Sequence, residues 1–116
     1  MYEQNPQLSA LVKALDDIKA TDIVVLDVKQ QTTITDFMVI CSGRASRHVK
    51  AIAEHIMPIM KAAGLPVLHL SGLDTGDWVL VDFGDFIVHI MQPDSRAFYN
   101  LEGLWQETKD EKTTQS

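Results

Sequence analysis

Between Trp78 and Met91 the chain reads as two short apolar strands flanking Asp82-Phe83-Gly84-Asp85. A link that short permits only an antiparallel hairpin, because parallel neighbours need a crossover of roughly a dozen residues or more. Taking Phe83-Gly84 as a two-residue turn sets Asp82 opposite Asp85, Leu80 opposite Ile87 and Trp78 opposite His89, since side chains alternate faces. Val79, Val81, Phe86, Val88 and Ile90 then share the other face, which is uniformly apolar as a core requires. The Trp78 face mixes a large aromatic with two carboxylates and an imidazole, a composition suited to a docking surface. The alternative is a sheet covered by helices on both sides, with Trp78 in the core and the two aspartates as turn formers.

The periodicities on either side of the hairpin set the fold class. Leu8, Leu11, Val12, Leu15 and Ile18 recur at helical spacing, and Asn5 before Pro6 offers an N-cap with proline at the first helical position. A helix is predicted over Gln7 to Lys19. Ile23 to Val28 and Phe37 to Cys41 are apolar, β-branched runs that read as strands, joined by the polar segment Lys29 to Thr35. Ser42-Gly43 breaks the pattern, and Val49, Ile52, Ala53, Ile56, Ile59 and Met60 trace one stripe of a long helix ending at Gly64. Pro58 lies inside that helix, where it removes a ladder hydrogen bond, so a kink or a restart near Met57 is expected.

Val67 to Leu70 reads as a short third strand, followed by a loop from Ser71 to Asp77 and then the hairpin. A last helix follows Asp94, a residue able to cap its first turn. Ala97, Phe98, Leu101, Leu104 and Trp105 form its inner face, while Arg96 and Tyr99 point the other way. The order is αββαβββα, an α/β chain with a mixed five-stranded sheet and packed helices. A helix between strands two and three implies a parallel, right-handed crossover, while the hairpins are antiparallel. Residues 1–105 form one domain, and the polar stretch Gln106 to Ser116 is expected to be a flexible tail.

A chain of 116 residues suits a single domain with a real core. No apolar run approaches the ~20 residues that span a bilayer, and Met1 to Leu8 lacks a basic segment followed by an apolar one. A cytoplasmic protein with no membrane partner is expected. The single cysteine, Cys41, has no partner for an internal disulfide and reads as a small buried hydrophobe. The formal net charge of -6 argues against direct gripping of a nucleic-acid backbone. Arg44, Arg47 and Lys50 form the densest basic cluster, but Asp36, Glu54 and the acidic hairpin turn dilute it. A surface of this sign is matched to a basic protein partner.

Ser42-Gly43-Arg44-Ala45-Ser46 leads from a strand into a helix N-terminus, where free N–H groups could hold a phosphate. The plainer reading is ordinary capping by Ser46 or Ser42, since neither a Walker lysine nor a three-glycine fingerprint accompanies the turn. Asp27, Asp36, Asp82 and Asp85 do not form the tight Asp-x-Asp pair that magnesium-dependent nucleotidyl transfer uses, which counts against a nucleotide-handling enzyme. His48 and His55 are two helical turns apart, too far to share one ion, and are read as surface or capping residues. His89 lies mid-strand and is expected to be hydrogen-bonded in place; no nucleophile arrangement accompanies it. Arg96 and Tyr99 belong to residue types enriched at interface centres, though two such residues also suit a plain solvated helix face. No catalytic, cofactor or metal site is expected.

With these residues in place, the chain resembles the ribosomal silencing factor family, also known as the Iojap-like proteins, over roughly Leu8 to Trp105. The carriers are Ile23-Val24-Val25-Leu26-Asp27-Val28, and Thr35-Asp36-Phe37-Met38-Val39-Ile40-Cys41-Ser42-Gly43 running into Ser46-Arg47-His48-Val49. Later come Asp77-Trp78-Val79-Leu80-Val81-Asp82, Gly84-Asp85, Val88-His89-Ile90, Arg96, Tyr99-Asn100-Leu101-Glu102 and Leu104-Trp105. Ser71 before Gly72 departs from the family pattern, which has a glutamate there. The resemblance implies a nucleotidyltransferase-like mixed sheet with no transferase activity. It also implies binding to protein fourteen of the large ribosomal subunit, where the subunits meet, so that joining is blocked and translation falls when nutrients are scarce. The residues expected to carry that contact are Trp78, Leu80, Asp82, Asp85, Arg96 and Tyr99. A homodimer hiding the same apolar face is compatible with this role.

Overall fold

Asn5 and Pro6 start the first helix as their chemistry predicts. The Asn5 side chain accepts a hydrogen bond from the Leu8 backbone N–H at 3.1 Å, and Pro6 occupies the first turn of α1, Pro6–Asp17. The helix ends in a Schellman motif: Ala20 N–H reaches back to the Leu15 carbonyl at 3.0 Å while Lys19 takes φ 65°. The structure is a computed structural model and describes residues 5–100 and Gly103, with the side chains of Phe98 and Tyr99 outside that set.

The remaining elements follow in the expected order: β1 Thr21–Asp27, β2 Phe37–Ser42, α2 Ser46–Ala62, β3 His69–Ser71, β4 Trp78–Asp82, β5 Phe86–Met91 and α3 Pro93–Tyr99. One five-stranded mixed sheet results, with strand order β1-β2-β5-β4-β3. β2 and β5 run parallel and the other neighbours antiparallel. β3 therefore points the same way as β2, as a crossover through α2 requires. The two are not neighbours, however, because β5 and β4 insert between them. Position in the sheet is decided by which strands pair, and the crossover says nothing about that.

α1 and α2 pack together on one face of the sheet. Leu8, Leu11 and Leu15 of α1 and Val49, Ile52, Ala53, Ile56 and Met60 of α2 join Val39, Cys41, Val79, Val81, Phe86, Val88 and Ile90 in a single buried cluster. The apolar face expected of the hairpin is thus core. α2 closes at Gly64, which takes φ 95° while Leu65 N–H returns to the Met60 carbonyl at 2.8 Å. The helix runs unbroken through Pro58, with no restart near Met57. Pro58 and Glu54, the residue whose carbonyl loses its ladder partner, both lie on the exposed side, where water can satisfy that oxygen.

In α3, Gln92 is the N-cap, Pro93 opens the helix and Asp94 lies inside the first turn, so Asp94 complements the helix dipole instead of capping. Ala97, expected on the inner face, is exposed. The expected inward positions Leu101, Leu104 and Trp105, and the tail from Gln106, lie outside the described residues.

Candidate functional site

The hairpin pairs Trp78 with Met91, Leu80 with His89 and Asp82 with Ile87. This corrects the expected register by two residues: the loop is Gly84-Asp85, closed by Phe83 N–H donating to the Phe86 carbonyl at 2.8 Å. Two preferences move the turn. Gly84 takes φ 90°, the positive value that a type II′ turn needs at its first central position. Phe83 is only 2% exposed, and burying its ring in the core favours a place in the ladder over one in the turn. A shift of two preserves side-chain parity, so every residue remains on the face assigned by alternation.

The face opposite α1 and α2 is organised in rows across the sheet. One row holds Ser42, Met91 and Trp78; the next Val24, Ile40, His89, Leu80 and Ser71; the third Leu26, Met38, Ile87, Asp82 and His69. Val28, Met38, Ile40 and Met91 are buried there, with Leu26 and Trp78 packed partly buried against them. Trp78, Leu80 and Asp82 are thus alternate residues of one strand, each half-buried. The surface is intermediate between the two sequence alternatives: its middle is buried like a core, while its β4 residues remain accessible.

Trp78 leans along the sheet, diagonal to its cross-strand partner, and its Nε1–H donates to Nδ1 of His89 at 3.0 Å. The rings are 5.8 Å apart at 45°, so they are not stacked. His89 is 6% exposed, and burial pushes its pKa down to about 4. The ring is therefore neutral near pH 7, and acceptance at Nδ1 places its proton on Nε2. His89 is hydrogen-bonded in place, as its mid-strand position suggested.

The acidic residues sit at the hairpin tip. Asp82 Oδ1 accepts the Gly84 N–H at 2.8 Å, so this carboxylate does serve as a turn former while lying on the Trp78 face. Asp85 is exposed, and its carbonyl accepts the N–H groups of Asp36 and Phe37, each at 3.1 Å, tying the tip to the start of β2. Arg96 reaches from α3 to the opposite end of the face, where Nη1 donates to the buried Ser42 Oγ at 2.9 Å. Tyr99 ends α3, with its side chain outside the described set. The structure therefore brings Trp78, Leu80 and Asp82 together on one strand, sets Arg96 beside the Trp78 end and leaves Asp85 at the tip. Sequence reasoning missed the Arg96–Ser42 link and the exposure of Ile34 and Leu68, at 75% and 68%; residues 54 apart in sequence give no local signal.

The turn into α2 is built differently from expectation. Ala45 is the N-cap and makes no side-chain capping bond, so neither Ser42 nor Ser46 caps the helix. His48, inside the first turn, fastens this segment without capping it: Nδ1 accepts the Arg44 N–H at 3.0 Å and Nε2 donates to the Ile18 carbonyl at 2.9 Å, joining the start of α2 to the end of α1. Arg44, Ala45, Arg47, His48 and Ala51 line an open cavity of about 350 Å³ there. Among the described residues, no three His, Cys, Asp or Glu side chains lie close enough together to hold a metal ion. Cys41 is buried, and desolvation pushes its thiol up to about 12 despite the nearby Arg96 charge, which makes it inert.

These features define an α/β domain with helices packed on one sheet face and a half-buried aromatic anchor with an acidic end on the other, an arrangement suited to docking. Comparison with known proteins is specific. The family model described as "ribosomal silencing factor during starvation" matches residues 2–116. A ribosomal silencing factor of Haemophilus influenzae is 47% identical over 95 residues, covering 82% of this chain and 93% of that protein. One from Bacillus subtilis is 39% identical over 102 residues, covering 88% and 86%. A crystal structure of a Chromobacterium violaceum protein superposes with a TM-score of 0.84 at 38% identity, covering 87% of this chain and 84% of the other. The chain belongs to the ribosomal silencing factor family. No helix among its described residues is long and apolar enough to cross a membrane.

Proposed function

We propose that this protein binds the large ribosomal subunit through large-subunit protein fourteen and sterically blocks association with the small subunit, repressing translation when nutrients are limited. Family membership supports a role in ribosome silencing. The observation that carries the docking reading is the β4 surface: Trp78, Leu80 and Asp82 half-buried on one strand, with the indole held by His89. Trp78 and Leu80 bury apolar area on the partner, while Asp82, Asp85 and the overall charge of -6 complement its basic side chains. Arg96 and Tyr99 extend the contact from α3. The protein acts in the cytoplasm by occupying space, without chemistry, cofactor or direct reading of nucleic-acid sequence.

The test is capture from cells entering starvation. The tagged protein should bring down large subunits without small ones, and added purified protein should keep isolated subunits apart in sucrose gradients. Paired ribosomes that form normally at saturating protein would refute the proposal.

A further inference from the structure

We propose that His89 is the positioning residue of the docking surface, holding the Trp78 indole in the one orientation a partner can use. This rests on the docking reading of the Trp78 face. His89 sits in a row with Val24, Ile40 and Leu80, beside a row containing Met38 and Ile87. An apolar side chain would fill that buried position at no polar cost, whereas an imidazole there needs a partner. Its partner is the indole N–H, at 3.0 Å. The geometry explains why a bond is required. Directly across the ladder from Trp78 is Met91, whose thioether is only a weak acceptor for the indole N–H; a diagonal bond to His89 draws the ring toward the row that holds His89 and Leu80, the next accessible residue of the face. Trp78 and Leu80 are thereby set as one surface before a partner arrives, which lowers the ordering cost of association.

A merely structural histidine would affect stability alone, so the test pairs two replacements. His89→Asn keeps an acceptor near the position of Nδ1; His89→Leu keeps bulk and removes it. Each is made in a Trp105→Phe background, so that Trp78 is the only tryptophan of the two that the chain contains. Time-resolved fluorescence anisotropy should show Trp78 more mobile with leucine and close to wild type with asparagine. Co-sedimentation with purified bacterial large subunits should weaken roughly tenfold for leucine, the loss of about one hydrogen bond, and recover to within about threefold for asparagine. Trp78→Phe deletes the same bond from the other end, and where both variants fold its effect should not add to that of His89→Leu; should the leucine variant fail to fold, Trp78→Phe by itself should weaken co-sedimentation roughly tenfold, and wild-type binding by it would overturn the inference. Unchanged Trp78 mobility in His89→Leu, or equal loss of binding with leucine and asparagine, would overturn the inference. Failure of the wild type to co-sediment would overturn the docking reading instead, with the anisotropy still reporting whether His89 holds the ring.

Discussion

The burial of His89 makes stability depend on pH in a defined window. Its pKa lies at about 4 in the folded chain against 6.5 for the free group, with desolvation as the cause. The unfolded chain therefore takes up a proton first as pH falls. Stability is fully present above about pH 6.5, declines through the interval below it, and stops changing from this source beneath about pH 4. At about 1.4 kcal/mol per pH unit across most of that interval, going from pH 7 to pH 5 should cost about 2 kcal/mol. That is a sizeable part of the roughly 5–15 kcal/mol that holds a typical domain together. The assay is urea unfolding followed by far-ultraviolet circular dichroism at both pH values, for the wild type and for His89→Asn, which cannot titrate. Contributions from all other groups are common to the two chains and cancel. The wild type should lose about 2 kcal/mol more than the variant; parallel losses would show that His89 is not the buried neutral group described.

Four further outcomes follow from the same geometry. Trp78→Ala should cost large-subunit binding roughly 2 kcal/mol or more, whereas Asp85→Ala, at an exposed position, should cost under about 1, both read by co-sedimentation with folding confirmed by circular dichroism. Added salt should slow association more than it speeds dissociation, measured by surface plasmon resonance on immobilised large subunits, because the chain's negative field steers encounter. Gly72→Ala should lower stability by more than about 1 kcal/mol in chemical denaturation; Gly72 takes φ 85° and a Cβ there would fall on the Trp78 carbonyl oxygen. Nucleotides with magnesium should leave the melting temperature unchanged despite the cavity beside Arg44 and Arg47, whereas a true ligand at ~100 times its dissociation constant would add about 2.7 kcal/mol.

Much of the candidate site's geometry was legible because strand alternation is a local property. Trp78, Leu80 and Asp82 share a face whatever the turn does, and Val79 and Val81 are buried as the pattern required. The turn itself was misplaced because Phe83-Gly84 and Gly84-Asp85 both fit a two-residue loop by composition. Burial of the Phe83 ring and the positive φ of Gly84 chose between them. The serine caps failed for a similar reason. The Ser42 hydroxyl accepts from Arg96, 54 residues away, the first turn of α2 has no side-chain cap, and His48 is held between the Arg44 N–H and the end of α1.

By itself the sequence determined the elements, their order and the composition of each sheet face, since helical and strand periodicities, Asn5-Pro6 at one helix start and Gly64 at another helix end act over a few residues. Only the tertiary structure decided that β5 and β4 separate β2 from β3, that the Trp78 indole reaches His89 instead of its cross-strand neighbour, and that Arg96 closes on Ser42. Those choices depend on contacts between segments far apart in the chain, whose free energy is realised only when all of them pack at once.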